Sequence, residues 1–171
     1  FLMVFFSMTY FMLLPGFVKE VLNQGPDGLG LIISISGIGA LAGSLLVASL
    51  PNKRRARVLL YGAFIMGIAL LGFAISTYFW TSVILLTFVG LGQAARMSLS
   101  NILLQAYVED EFRGRVMSIY MLEMAFLAIA IYPVSLFAEY FGPQWAIGLS
   151  AACLIVLTLF LASIPAYRNL D

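Results

Sequence analysis

Two charged residues sit deep inside otherwise apolar runs, Arg96 and Glu123. Arg96 lies eleven residues before Tyr107, roughly 16 Å along a helix. Glu123 lies eight residues after Arg115, roughly 12 Å from the same end. If the two runs form a hairpin, the charges meet at similar depth. A lone charge at the centre of a bilayer costs about 2.5–3.5 kcal/mol on insertion scales, and pairing lowers that cost. Three chemistries follow. The pair can be a satisfied ion pair that fixes helix packing. Glu123 can carry a proton that Arg96 displaces when the two pair and readmits when they part. Arg96 can instead contact an anionic or polar substrate. In each case both residues are expected to face the bundle interior or an aqueous cavity.

The run holding Arg96 is the most polar. At 100° per residue, Gln93, Arg96, Ser100 and Asn101 fall within an arc of roughly 140°. Such a face should not meet lipid. It can supply interhelical hydrogen bonds or line a cavity, and four polar residues exceed what packing needs. Tyr120, one turn before Glu123, can share that cavity. Arg113, Gly114 and Arg115 follow the acidic stretch Glu109-Asp110-Glu111. The arginines are retention charges at a membrane face, or a latch that pairs with acidic groups in one transport state. Gly114 would let the chain turn tightly there.

Other chemistries lack their parts. There is no His, which removes imidazole acid–base work and His metal ligands. The single Cys153 sits in an apolar run and reads as a packing residue. No paired carboxylates lie at the midplane and no glycine-spaced serine nucleophile is apparent, so the chain reads as neither an enzyme nor a cofactor protein. Its basic residues lie in short loops, which excludes nucleic acid as a partner.

The elements that must position these residues are membrane spans. The chain is 63% hydrophobic and 10% charged, with a mean hydropathy of +1.04. A soluble domain carries roughly 25% charged residues. Six apolar runs cover about 1–22, 29–50, 58–77, 81–107, 116–140 and 144–164. Each has about the 20 residues that a helix needs to cross hydrocarbon, where every backbone group must be bonded internally. Pro15-Gly16 breaks the first run, and a short turn falls near Tyr78-Phe79-Trp80, where an aromatic belt is expected. Lys53, Arg54, Arg55, Arg57, Arg113, Arg115 and Arg168 share one side if the spans alternate, and the other side has Lys19. By the positive-inside rule, loops 51–57 and 108–115 and the C-terminus are cytoplasmic.

Gly39 and Gly43 are four apart on one face of the second run. Hydrocarbon gives helices no hydrophobic reason to associate, so close packing needs such small faces. Tight packing is the plain reading, and a sliding interface is the sharper one. Ser44–Pro51 and Ser135–Gly142 are weakly alike and end the second and fifth runs, which point in opposite directions. That suits two inverted three-helix repeats. The first run begins at Phe1 with neither a basic leader nor a cleavage site, so a fragment of a longer protein is expected.

Several stretches resemble the C-terminal half of a major facilitator superfamily transporter. Leu14-Pro15-Gly16-Phe17-Val18-Lys19-Glu20-Val21-Leu22 is similar to the end of its seventh helix, and Gly28-Leu29-Gly30-Leu31 through Gly43-Ser44 to its eighth. Gly90-Leu91-Gly92-Gln93-Ala94-Ala95-Arg96, with Glu109-Asp110-Glu111-Phe112-Arg113-Gly114-Arg115-Val116, looks like the tenth helix and the loop after it. The branch holding bacterial enterobactin and macrolide exporters looks nearest. The resemblance implies an all-α, polytopic transmembrane bundle, here one six-helix half, with substrate at the midplane and alternating access. Pro51-Asn52-Lys53-Arg54-Arg55-Ala56-Arg57 looks like a degenerate gating loop that lacks the family's acidic residue, and the antiporter signature is absent.

The expected function is therefore proton-coupled efflux of a small molecule across the bacterial inner membrane. Glu123 would couple protons, and Arg96, Gln93 and Asn101 would face the substrate. The expected partners are the lipid bilayer, a small-molecule substrate, protons and the N-terminal half of the same protein. The alternative is a free-standing six-helix protein that works as a homodimeric channel or a scaffold.

Overall fold

A computed structural model describes residues 2–49, 55–109 and 111–163, apart from the side chains at 55–57, 105–107, 123, 124 and 130. The basic cluster at Lys53 and Arg54, the tail with Arg168 and the Glu123 side chain lie outside the described residues. Six helices follow one another: α1 (Leu2–Glu20), α2 (Pro26–Ser49), α3 (Arg55–Ile75), α4 (Phe79–Tyr107), α5 (Arg113–Phe141) and α6 (Pro143–Ser163). All six are long and apolar enough to cross a membrane.

Local chemistry sets the helix ends. Asn23 takes a left-handed φ of 51° just after α1, and the Gln24 amide caps the Val18 carbonyl at 3.0 Å. Pro26 opens α2 with its fixed φ, and Asp27 faces the positive end of the helix dipole. Gly142, at φ 88°, ends α5, and Pro143 at once begins α6. α1 runs unbroken through Pro15, contrary to the expected break. Proline inside a membrane span is accommodated because neighbouring helices and small local adjustments satisfy the freed carbonyl. The turn expected at Tyr78-Phe79-Trp80 falls slightly earlier, and Phe79 and Trp80 already belong to α4. Tyr78, Trp80, Tyr140 and Trp145 are all exposed at the ends of helices on that side, as an interfacial belt requires.

The packing has an internal two-fold pattern. α2 lies on α4 as α5 lies on α1; α3 supports α4 as α6 supports α1; and α3 and α6 pack on each other at the axis. The two halves of the pattern differ in tightness. The buried residues of α2, Ile32, Gly39, Gly43 and Val47, form one stripe against α4. A methyl group at Gly39 would strike the Thr87 carbonyl oxygen, and one at Gly43 the Leu91 carbonyl oxygen. From the other side, one at Gly90 would strike the Ser36 carbonyl oxygen. The glycine face therefore packs tightly, as its spacing indicates. No comparable seam holds α5, where Ala138 alone is buried among the described side chains.

The main core joins Phe17 of α1, Ile32 of α2, Met66, Leu70 and Phe73 of α3, Leu86 of α4, and Ile147 and Leu154 of α6. The Phe17 and Phe73 rings sit 4.3 Å apart between centroids. In lipid this cluster is held by dispersion contacts rather than by escape from water. The hydroxyls are disposed of locally. Ser34, Ser36 and Ser44 of α2 donate to Gly30, Ile33 and Leu41 carbonyls, and Thr87 of α4 donates to Val83.

Candidate functional site

α4 carries the site because its two flanks serve different purposes. Ala95 and Leu99 pack with Val47 of α2 and with Val58 and Leu59 of α3. The remaining arc holds Gln93, Arg96, Ser100 and Asn101. Gln93 is the midpoint of the helix, roughly 21 Å from either end. Its Nε2 donates to Met8 Sδ of α1 at 3.1 Å. A thioether is a weak acceptor. Gln93 Oε1 is buried and has no hydrogen-bond partner among the described residues.

Arg96 lies one turn further on and is 4% exposed, so the guanidinium is inside the bundle rather than at lipid. Asn101 Nδ2 donates to the Tyr120 hydroxyl of α5 at 3.3 Å and to the Met97 carbonyl at the same distance. The polar strip thus touches α1 at its middle and α5 toward the α4–α5 loop. Asn101 and Tyr120 are brought together; Ser100 is half-buried beside them.

The expected α4–α5 hairpin is corrected. The two helices meet through the Asn101–Tyr120 bond rather than along a continuous seam. The flanks of α4 are taken by α2 and α3, and α5 rests on α1 and α6 instead. Glu123 is on α5, one turn beyond Tyr120, and its side chain lies outside the described residues. The tight turn expected at Gly114 is also corrected. Gly114 is in the first turn of α5 with an ordinary helical φ, and Phe112 closes the turn by donating its amide to Glu109 at 3.0 Å. Arg113 and Arg115 are exposed on that first turn.

Sequence reasoning missed the space beside this strip. Phe5, Met8, Phe11 and Met12 of α1 face Leu127 and Ile131 of α5 across a partly open cleft of about 290 Å³. Thr9, which also lines it, spends its hydroxyl on the Phe5 carbonyl at 2.7 Å. Nothing in the local sequence separates Met8 and Phe5 from lipid-facing residues. Only the spacing of α5 from α1 makes them a wall.

Comparison with known proteins places this arrangement. The chain is 28% identical over 138 residues to a D-xylose transporter of Levilactobacillus brevis, covering 79% of this chain and 30% of that protein. The chain thus spans under a third of that relative's length. No solved structure matches it significantly. Residues 1–169 match the Major Facilitator Superfamily family profile. A six-span helical bundle with a polar strip at the middle of α4, matched over nearly its whole length, identifies this chain as a member of the Major Facilitator Superfamily, a family of membrane transporters.

Proposed function

We propose that the chain is the C-terminal six-helix half of a secondary transporter that exports a small molecule by alternating access. The polar arc of α4 forms one wall of the path, and the N-terminal half of the same protein supplies the other. The observation that carries this reading is the placement of Arg96, 4% exposed inside a span, between Gln93 and Asn101, which reach two different neighbouring helices. A charge held inside a membrane bundle marks a substrate or ion pathway more often than it serves packing alone.

Protons drive the cycle in this reading. Glu123, one turn from Tyr120 on α5, is the coupling carboxylate, and Arg96 is the cation that replaces its proton when the two approach. Export is the direction that the sequence resemblance to the enterobactin and macrolide exporters implies, and in this reading the positive side with loops 51–57 and 108–115 is cytoplasmic in a bacterial inner membrane. The test uses the full-length transporter in liposomes with an imposed pH gradient. Glu123→Gln should abolish gradient-driven transport and leave the amount of inserted protein unchanged. Undiminished pH-driven transport in that variant removes Glu123 from the coupling step.

A further inference from the structure

We propose that Gln93 weights the bundle against the arrangement described, and that α1 parts from α4 at Met8 in the other transport state. The assignment rests on the transport reading above and concerns how its two states are balanced.

The Gln93 amide is poorly served where it sits. Its Nε2 donates to Met8 Sδ of α1 at 3.1 Å, and a thioether is a weak acceptor. Its Oε1 has under 1 Å² of accessible surface and no hydrogen-bond partner among the described residues. Neither water nor a ligand touches an oxygen so enclosed. It is already shut off within this six-helix half, so a further half of the protein cannot supply its donor either. Turning the amide over brings no relief, because the oxygen would then face a sulfur with no proton to give. Buried acceptors are normally bonded, and one that is not bears the loss of its hydration. Gln93 bears that loss only while α1 and α4 touch here. When α1 stands off, water from the transport path reaches the amide. An arrangement that carries such a penalty yields population to one that does not.

The surroundings decide which helix moves. α4 is held fast at this level. A methyl group at Gly90 would strike the Ser36 carbonyl oxygen of α2, and one at Gly92 would come within 2.8 Å of Met66 Cβ of α3. α1 shares no extended seam with α4. Pro15 has no N–H to give the Phe11 carbonyl, which weakens α1 just beyond Met8. Past that point the helix is anchored, with the Phe17 ring 4.3 Å from the Phe73 ring. On the side away from this anchor, Phe5, Met8 and Met12 border the cleft toward α5, which leaves about 290 Å³ for the N-terminal part of α1 to move into.

The test uses the full-length transporter in nanodiscs, with its native cysteines, Cys153 included, replaced by serine. Ser7, beside Met8, is 0% exposed. Ser7→Cys therefore reacts with a water-soluble methanethiosulfonate only when α1 lifts, and mass spectrometry gives the rate. Thr158→Cys, at a position 2% exposed in α6, reports loosening of the bundle as a whole. Gln93→Leu removes the amide and should slow labelling of Ser7→Cys at least about threefold, the weight of one hydrogen bond between membrane helices. Met8→Gln, similar in shape, offers the Gln93 oxygen a donor and its nitrogen a stronger acceptor, and should slow labelling by a similar factor. Thr158→Cys should keep its rate in both variants. The two substitutions change polarity in opposite senses, so a role in packing alone does not slow labelling in both.

Unchanged or faster labelling of Ser7→Cys in either variant overturns the assignment. So does equal slowing at Thr158→Cys, or a Ser7→Cys that never reacts in the Gln93 protein. If a pH gradient drives transport and Ser7→Cys ignores both substitutions, the Gln93 assignment fails and the transport reading stands. If Ser7→Cys responds as expected and no compound crosses under any gradient, the transport reading fails and the balance set by Gln93 stands.

Discussion

Gly39→Ala adds one methyl group to α2 and should destabilise the bundle, whereas Gly37→Ala, two residues away on the same helix, should stabilise it. An added Cβ at Gly37 meets nothing within 4 Å. That substitution keeps the gain of replacing glycine inside a helix, about 0.5–1 kcal/mol. At Gly39 the new methyl would strike the carbonyl oxygen and carbon of Thr87, together with its Cγ2 at 3.1 Å. The first two are backbone atoms of α4 and cannot rotate aside. The helices must separate by roughly 1 Å, and a gap of that size forfeits a quarter to a half of each contact along the seam. Overpacking of this kind costs about 1–3 kcal/mol. After subtracting the helical gain, Gly39→Ala should lose about 0.5–2 kcal/mol. The two variants should then differ by the overpacking cost itself, about 1–3 kcal/mol, on the order of five- to a hundredfold in the unfolding equilibrium. Reversible unfolding of the purified transporter in mixed micelles of dodecyl sulfate and a mild detergent, followed by far-ultraviolet circular dichroism, measures the difference. Equal midpoints, or a more stable Gly39→Ala, would refute backbone contact as the basis of the α2–α4 seam.

Two further predictions test smaller features. In a double-mutant cycle of Asn101→Leu and Tyr120→Phe, read by the same unfolding assay, the coupling should be about 0.6 kcal/mol, typical of a hydrogen bond between membrane helices; a coupling of zero would remove the link between α4 and α5. Gly142→Ala should cost about 1 kcal/mol, because residue 142 holds φ 88° between two helices and an L side chain is strained there; an unchanged midpoint would refute the need for glycine at that turn.

The number and type of elements were legible in the sequence because bilayer thickness and backbone bonding leave few choices for an apolar run. Gly39 and Gly43 were legible as an interface for a related reason, since only small residues allow such close approach. Pro15 misled because proline breaks helices in water, where a freed carbonyl turns to solvent; in a bundle the neighbours hold the helix through it. The α4–α5 pairing misled because adjacency in sequence usually means adjacency in space. Here α2 and α3 had already occupied the flanks of α4. At the site, Gln93, Arg96 and Asn101 announced themselves as polar residues in an apolar run. Met8 and Phe5 did not, because a cleft wall and a lipid-facing surface use the same side chains.

The hydroxyl groups on either side of the glycine seam have a mechanical consequence. Ser34, Ser36, Ser44 and Thr87 each donate to a carbonyl of their own helix, three or four residues back. They lend the contact between α2 and α4 no polar adhesive. If the two helices part or shift by a step, these hydroxyls keep their partners, and none is left stranded in hydrocarbon. The joint is defined by shape alone, like a dry bearing: firm when seated, and remade without any exchange of hydrogen bonds.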